Sequence, residues 1–215
     1  MKYLVILGIV LFPLKSFAQM QQGSIVVGGD FNFSTSKEKT EQGGNTDDGP
    51  VWTNFKITPE AEYFISDNFS AGLGLGYSLY KKKTESTNSE TINKTKTFTI
   101  SPFVKKYFAL GEHAYFFGKA QADFGFGKDI DEYKSGTVTT SVEEHQSVFR
   151  IGVIPGFRYN ITDKFGIEAG IGFFGFSNTV NTSGSGNNEK KDINSSFQLS
   201  VIPNSLSLGI RYTIN

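Results

Sequence analysis

His145-Gln146-Ser147 sets an imidazole two residues from a hydroxyl, the minimum for a base-activated nucleophile. In an extended strand, residues i and i+2 share a face, so the two side chains fall on one side. A third group must orient the histidine. The stretch "FFGFSN" at 173–178 supplies no acid, Glu143 and Glu144 lie in a polar stretch, and Glu168 has the opposite phase. A polar residue at a strand rim is therefore the preferred reading. A larger constellation is Asp30, Lys56, Glu60, Glu62, Lys105, Lys119, Asp123, Arg150, Arg158 and Glu168, charges of both signs that fall on one phase of alternating segments. Such a set can line a selective passage, or pair into a network that fills it. Asp129-Ile130-Asp131-Glu132 offers oxygen ligands but lacks the spaced ligands and glycine of a calcium loop, and reads as a solvated acidic loop. Lys81-Lys82-Lys83 can meet phosphate groups by charge alone.

The elements that carry these residues are strands. Eight segments alternate large apolar residues with small or polar ones: 23–34, 52–65, 69–79, 95–108, 116–126, 149–159, 165–173 and 195–214. In the third, Phe69, Ala71, Leu73, Leu75, Tyr77 and Leu79 oppose Ser70, Gly72, Gly74, Gly76 and Ser78. In the seventh, Phe165, Ile167, Ala169, Ile171 and Phe173 oppose Gly166, Glu168, Gly170 and Gly172. The last segment starts on odd numbers (Phe197, Leu199, Val201) and ends on even ones (Leu206, Leu208, Ile210, Tyr212), a slip that a β-bulge at 203–205 would produce. Pro59, Pro102, Pro155 and Pro203 fall once in each even-numbered segment, which predicts a row of local bulges. Tight turns are expected at 66–68, 110–113 and 162–164, and long polar loops at 36–50, 82–94, 129–144 and 178–192.

The 215 residues hold 24 Gly, 21 Phe, 9 Tyr and no Cys, which suits an all-β chain that is not stapled by disulfides. Residues 1–18 read as a secretory signal peptide: Lys2, an apolar run over 3–14, and Ser16-Phe17-Ala18 before the cut. Residues 19–215 then form one domain. Of the 21 basic and 21 acidic residues, Lys2 and Lys15 leave with the leader, so 19 − 21 gives −2. Nothing in that balance suggests a nucleic-acid surface, and no nucleic-acid partner is expected.

Which face is inside follows from three features. The small-residue face carries scattered charges of both signs rather than dense Lys and Glu. The apolar face continues through all eight segments. Aromatics cluster beside the turns: Tyr63, Phe69, Tyr107, Phe108, Tyr115, Phe116, Phe157, Tyr159, Phe165 and Tyr212. A lipid-exposed outer face with aromatic girdles accounts for all three, and the glycines become inward spacers in a narrow lumen. The fold expected is an eight-stranded antiparallel up-and-down transmembrane β-barrel. A soluble lipocalin-like barrel, with the faces reversed, is the alternative fold.

With the leader, the paired "FISDNFSAGLGLGY" and "NITDKFGIEAGIGF" hairpins and the terminal "LSLGIRYTIN", the chain resembles the small eight-stranded outer-membrane β-barrel family, the OmpX- and OmpA-barrel-like outer membrane protein beta-barrel domain. The resemblance implies an outer-membrane location, no cofactor, and partners in outer-membrane lipid, lipopolysaccharide and the barrel-assembly machinery. An even strand count puts both termini on the periplasmic side. Lipid A deacylases of this architecture pair a lipid-facing His-x-Ser with a Glu on a neighbouring strand, which is the comparison that His145 and Ser147 invite. The expectation is a monomeric, non-enzymatic barrel with a structural or surface-interaction role, its loop ligand unspecified. A narrow channel is the alternative and a lipid A-modifying enzyme a weaker one. With eight strands the ten inward charges are expected to plug the lumen rather than line a pore.

Overall fold

The computed structural model describes residues 20–42, 45–86, 88–184, 189–200 and 206–214. The predicted signal peptide (1–18) lies outside them. Ten strands form: β1 (Ile25–Gln42), β2 (Asn45–Ser66), β3 (Phe69–Ser86), β4 (Ser89–Ala109), β5 (Ala114–Ser135), β6 (Val138–Asn160), β7 (Phe165–Ile171), β8 (Phe173–Ser183), β9 (Lys190–Ser200) and β10 (Leu206–Ile214). Neighbours run antiparallel, and β10 pairs with both β7 and β1, closing an eight-membered ring of β1 to β7 and β10. Strands β8 and β9 continue β7 and β10 upward, with β8 taking over the edge of β6 from β7.

The ring is inside-out relative to a soluble domain. Among the described residues, twelve buried side chains are polar or charged and eight are apolar. Meanwhile Phe31, Leu73, Phe98, Phe124, Ile151, Phe157, Ile167 and Ile210 stand exposed on the outer face. On β5, Phe116 and Phe126 bracket the outer apolar band ten residues apart. That is about 33 Å along the strand, or roughly 25 Å along the barrel axis at a tilt of about 40°, the height of a transmembrane barrel's apolar belt.

Several expectations need correction. The seventh segment is not one strand. Gly172 adopts a positive φ of 79°, a conformation that suits glycine, and ends β7. The alternation flips there: Phe173 lines the lumen, while Phe174 and Phe176 point out. The pairing of β6 slips by one residue across this break, from Val153↔Phe174 to Gly156↔Gly170. Pro155 sits at that slip. Pro59 and Pro102, by contrast, leave the register unchanged on both sides, so they interrupt a ladder without bulging it. A proline lacks only its own donor, and one missing bond does not oblige the chain to shift. Pro203 and the predicted slip at 203–205 lie outside the described residues. The opposite phases of β9 (Phe197 and Leu199 out) and β10 (Leu208 and Ile210 out) flank them. Finally, Tyr107 and Tyr115 do not belong to an outer girdle: both are 1 % exposed and point inward. Both lie on the inward phase of their strands, which proximity to a turn had masked.

The predicted long loops are also largely strand. Pairs continue to Gln42↔Asn45, Ser86↔Ser89 and Ser135↔Val138, and β8 with β9 to Ser183↔Lys190. At 23 residues, β6 extends about 75 Å, far more than a bilayer needs. Opposite charges facing across strands hold these extensions. Lys83 bridges Glu85 and Glu90, Lys134 binds Glu90 at 3.1 Å, Lys94 binds Glu132 at 2.8 Å, and Lys128 pairs with Glu143. Hydrogen bonds from Lys83 and Lys134 hold the Glu90 carboxyl below its ordinary value of 4.5. A lowered folded pKa contributes stability above the ordinary value and loses it as pH falls through the lower one. Carboxyl-carbon NMR is therefore expected to give Glu90, Glu132 and Glu143 midpoints below 4.5, and an ordinary midpoint for Glu90 in a Lys83→Gln, Lys134→Gln double variant.

Candidate functional site

Just above the turn end, where a space lined by Met20, Phe64, Tyr115 and Arg158 opens, side chains fill the lumen. Glycine on one strand makes room for a ring on the next: Phe103 lies over Gly72, and Phe117 over Gly156. These rings join Phe64, stacked on Tyr107 at 5.6 Å, and Tyr115, edge-on to Tyr107 at 6.3 Å. Met20, Val26, Phe64, Tyr107, Tyr115 and Phe117 form one buried apolar cluster.

Charge is threaded through this cluster. Glu168 accepts hydrogen bonds from Lys105 (3.0 Å), Tyr107 (2.9 Å), Arg158 (3.4 Å) and Arg211 (3.1 Å). Glu62 accepts from Ser70 at 2.6 Å and from the Tyr107 hydroxyl at 2.9 Å, and lies 3.5 Å from Lys105. The single Tyr107 proton serves one of the two carboxylates at a time. Arg211 spans to Asp30 (2.8 Å) and Glu60 (3.1 Å), and Lys119 pairs with Glu60. Lys105 also sits over the rings of Phe103 and Phe117, at 5.3 and 5.1 Å. Four carboxylates thus meet four cations in a region where each alone would be costly.

Of the ten charges singled out from sequence, Asp30, Glu60, Glu62, Lys105, Lys119, Arg158 and Glu168 join this knot. Asp123 and Arg150 form a separate pair at 2.8 Å above it, and Lys56 lines the space beside them. Arg211 is the member that sequence reasoning missed. Its signal was present: with Leu208, Ile210 and Tyr212 outward, position 211 must face in.

His145 and Ser147 are exposed on the outer phase of β6, opposite Lys128 and Phe126 of β5. Glu143, the acid that shares their face of that strand, is bound by Lys128. Nothing in this arrangement orients the imidazole toward the hydroxyl. Asp129, Asp131 and Glu132 are not in a loop but on β5. Gln146 donates to Asp129 at 3.2 Å, Asn93 to Asp131 at 2.5 Å, and Lys94 to Glu132 at 2.8 Å. Strand alternation puts Glu132 on the face opposite the two aspartates. Among the described residues, no group of three or more His, Cys, Asp or Glu side chains is placed to hold a metal ion.

A polar, charge-knotted interior inside an apolar ring is the arrangement of an outer-membrane barrel, and the sequence match agrees. The profile of the outer membrane protein beta-barrel domain fits residues 4–214. The chain belongs to that family. Membership places the barrel in the outer membrane. No curated protein matches the chain in sequence. Among solved structures, Neisserial surface protein A (NspA) overlays with 16 % identity over 89 % of this chain and 99 % of its own, at a TM-score of 0.42. Ail, the attachment invasion locus protein of Yersinia pestis, overlays with 17 % identity over 90 % and 100 %, at 0.35. OprG of Pseudomonas aeruginosa overlays with 9 % identity over 93 % and 99 %, at 0.41.

Proposed function

We propose that this member of the family is a closed, non-enzymatic barrel whose role is structural or surface-interactive, exercised through the β-hairpins that rise beyond the apolar belt. The observation that carries this reading is the plug: Glu62, Lys105, Tyr107, Arg158 and Glu168, each 4 % exposed or less, fill the lumen between the strands. A passage through them would have to break several charge-assisted hydrogen bonds at once. Reconstituted in a planar bilayer, the protein is expected to give no steady conductance. A stable unitary current altered by Lys119→Gln would overturn the reading in favour of a channel.

Orientation belongs to the same proposal. The described chain ends meet at the short-turn end, where the Asn68 amide donates to the Met20 carbonyl at 2.9 Å and Thr213 to Lys164 at 2.7 Å. With those ends periplasmic, the long hairpins stand outside the cell. The chain has no cysteine, so single introduced thiols report topology cleanly. Ser135→Cys, at the β5–β6 tip, is expected to react with an impermeant maleimide on intact cells, and Gly111→Cys only after lysis. The reverse pattern would invert the barrel.

A further inference from the structure

Above the plug the lumen opens into a compartment of about 270 Å³, lined by Lys56, Thr58, Lys119, Gln121, Asp123 and Arg150 among others. At about 30 Å³ per water it has room for about nine waters, or a small solute and its shell. The plug closes it below, so access is from the hairpin end, and the Lys56 side chain is exposed there.

The hydrogen bonding within this compartment is incomplete. Asp30 and Glu60 are committed to Arg211, Glu60 also to Lys119, and Asp123 to Arg150. Lys56 forms no ion pair with any carboxylate among the described residues, although it faces Arg150, Asp123, Asp30 and Lys119. The charges that line it balance, Lys56, Lys119 and Arg150 against Asp30, Glu60 and Asp123, and of these Lys56 alone has no ion-pair partner among the described residues. Four buried side-chain atoms among the described residues also lack a hydrogen-bond partner: the hydroxyl of Thr58, 8 % exposed, Nε of Arg150, Oδ2 of Asp123 and Oδ1 of Asp129. Native interiors seldom leave such groups unpaired. Lys56 and Thr58 are two residues apart on β2 and share its inner face, so their Cα atoms lie about 7 Å apart. An ammonium, a guanidinium N–H and a hydroxyl thus line one water-accessible space.

We propose that this compartment binds a small oxyanion, of the size of phosphate or a simple carboxylate, held by Lys56, Nε of Arg150 and the Thr58 hydroxyl. The anion pairs with Lys56 and occupies the two unpaired buried donors. The inference goes beyond the surface role and does not depend on what the hairpins contact. None of the three donors belongs to the ion-pair knot of the plug.

The test uses the full folded protein in detergent at pH 7, titrated with inorganic phosphate or with acetate against chloride at constant ionic strength. Calorimetric titration is expected to show saturable binding of at least one of the two, and the thermal midpoint to rise with it. Lys56→Gln is expected to weaken that binding at least tenfold and Thr58→Val several-fold. Lys56→Arg should retain most of it, and Lys190→Gln all of it. Unfolding without added oxyanion checks that the variants remain folded. Absence of saturable binding in the wild type, or equal affinity in Lys56→Gln, would overturn the proposal. A midpoint shift that chloride reproduces would do the same, because it reports screening alone.

Discussion

Replacing Glu168 with alanine is expected to destabilise the barrel by about 3–5 kcal/mol, the cost of breaking a buried ion pair by removing one partner. Glu168 is the acceptor common to Lys105, Tyr107, Arg158 and Arg211, and the glutamate itself is 4 % exposed. Without it, the only carboxylate left to Lys105 and Arg158 among their ion pairs is Glu62, at 3.5 and 3.8 Å, and Arg211 keeps Asp30 and Glu60. Three cations would then share three carboxylates that Lys119 also needs. Urea unfolding of the detergent-folded protein, read by the loss of heat-modifiable mobility, measures the change. Adding Lys105→Met to Glu168→Ala should recover part of the loss, because it removes a charge left without its main partner. Lys128→Gln serves as control: its pair with Glu143 is solvent-exposed, and such pairs contribute little. Should Glu168→Ala match Lys128→Gln, the knot is not what holds the lumen shut.

Period-two alternation sorted each segment into two faces, because a strand in a barrel offers only two directions, and the scattered charges, the continuous apolar face and the aromatics beside the turns then chose the inner one. The same rule, applied to the last strand, assigns Arg211 inward. Other features turned on properties that alternation does not encode. A single glycine at positive φ, Gly172, re-phased the upper part of the seventh segment and carried Phe173 into the lumen. Polar composition at 82–94 and 129–144 resembled loop, yet cross-strand pairs such as Lys83 with Glu90 and Lys94 with Glu132 keep those residues in register. Where both faces meet water, a strand loses its apolar signature without losing its ladder. The partners within the knot were not legible either. Which carboxylate meets which cation depends on stagger around the ring, a long-range quantity that no local spacing carries.

The glycines of the inner face yield the second large effect. Gly156→Ala is expected to cost about 1–3 kcal/mol, the range for overpacking a filled interior. A β-carbon there would collide with the Phe117 ring and come within 2.5 Å of the Ala169 carbonyl oxygen, which is backbone and cannot swing away. Gly72→Ala meets the same obstruction from Phe103 and, at 2.5 Å, from the Ala61 carbonyl oxygen. Gly118→Ala is the contrast. It lies on the same barrel with nothing within 4 Å of the added carbon, and restricts the unfolded chain, so it should be neutral or stabilising by up to about 1 kcal/mol. Enlarging the space by combining Gly156→Ala with Phe117→Leu should cost less than the sum of the two single changes, since the ring is half of the clash. Unfolding midpoints of these five variants, Phe117→Leu alone included, decide the matter. Equal costs for Gly118→Ala and Gly156→Ala would mean that strand propensity, not the fit of ring to glycine, sets the penalty. With the expected order, the alternation has a cause on each face at Gly72 and Gly156: lipid contact for the large residues outside, and clearance for a neighbouring strand's aromatic ring within.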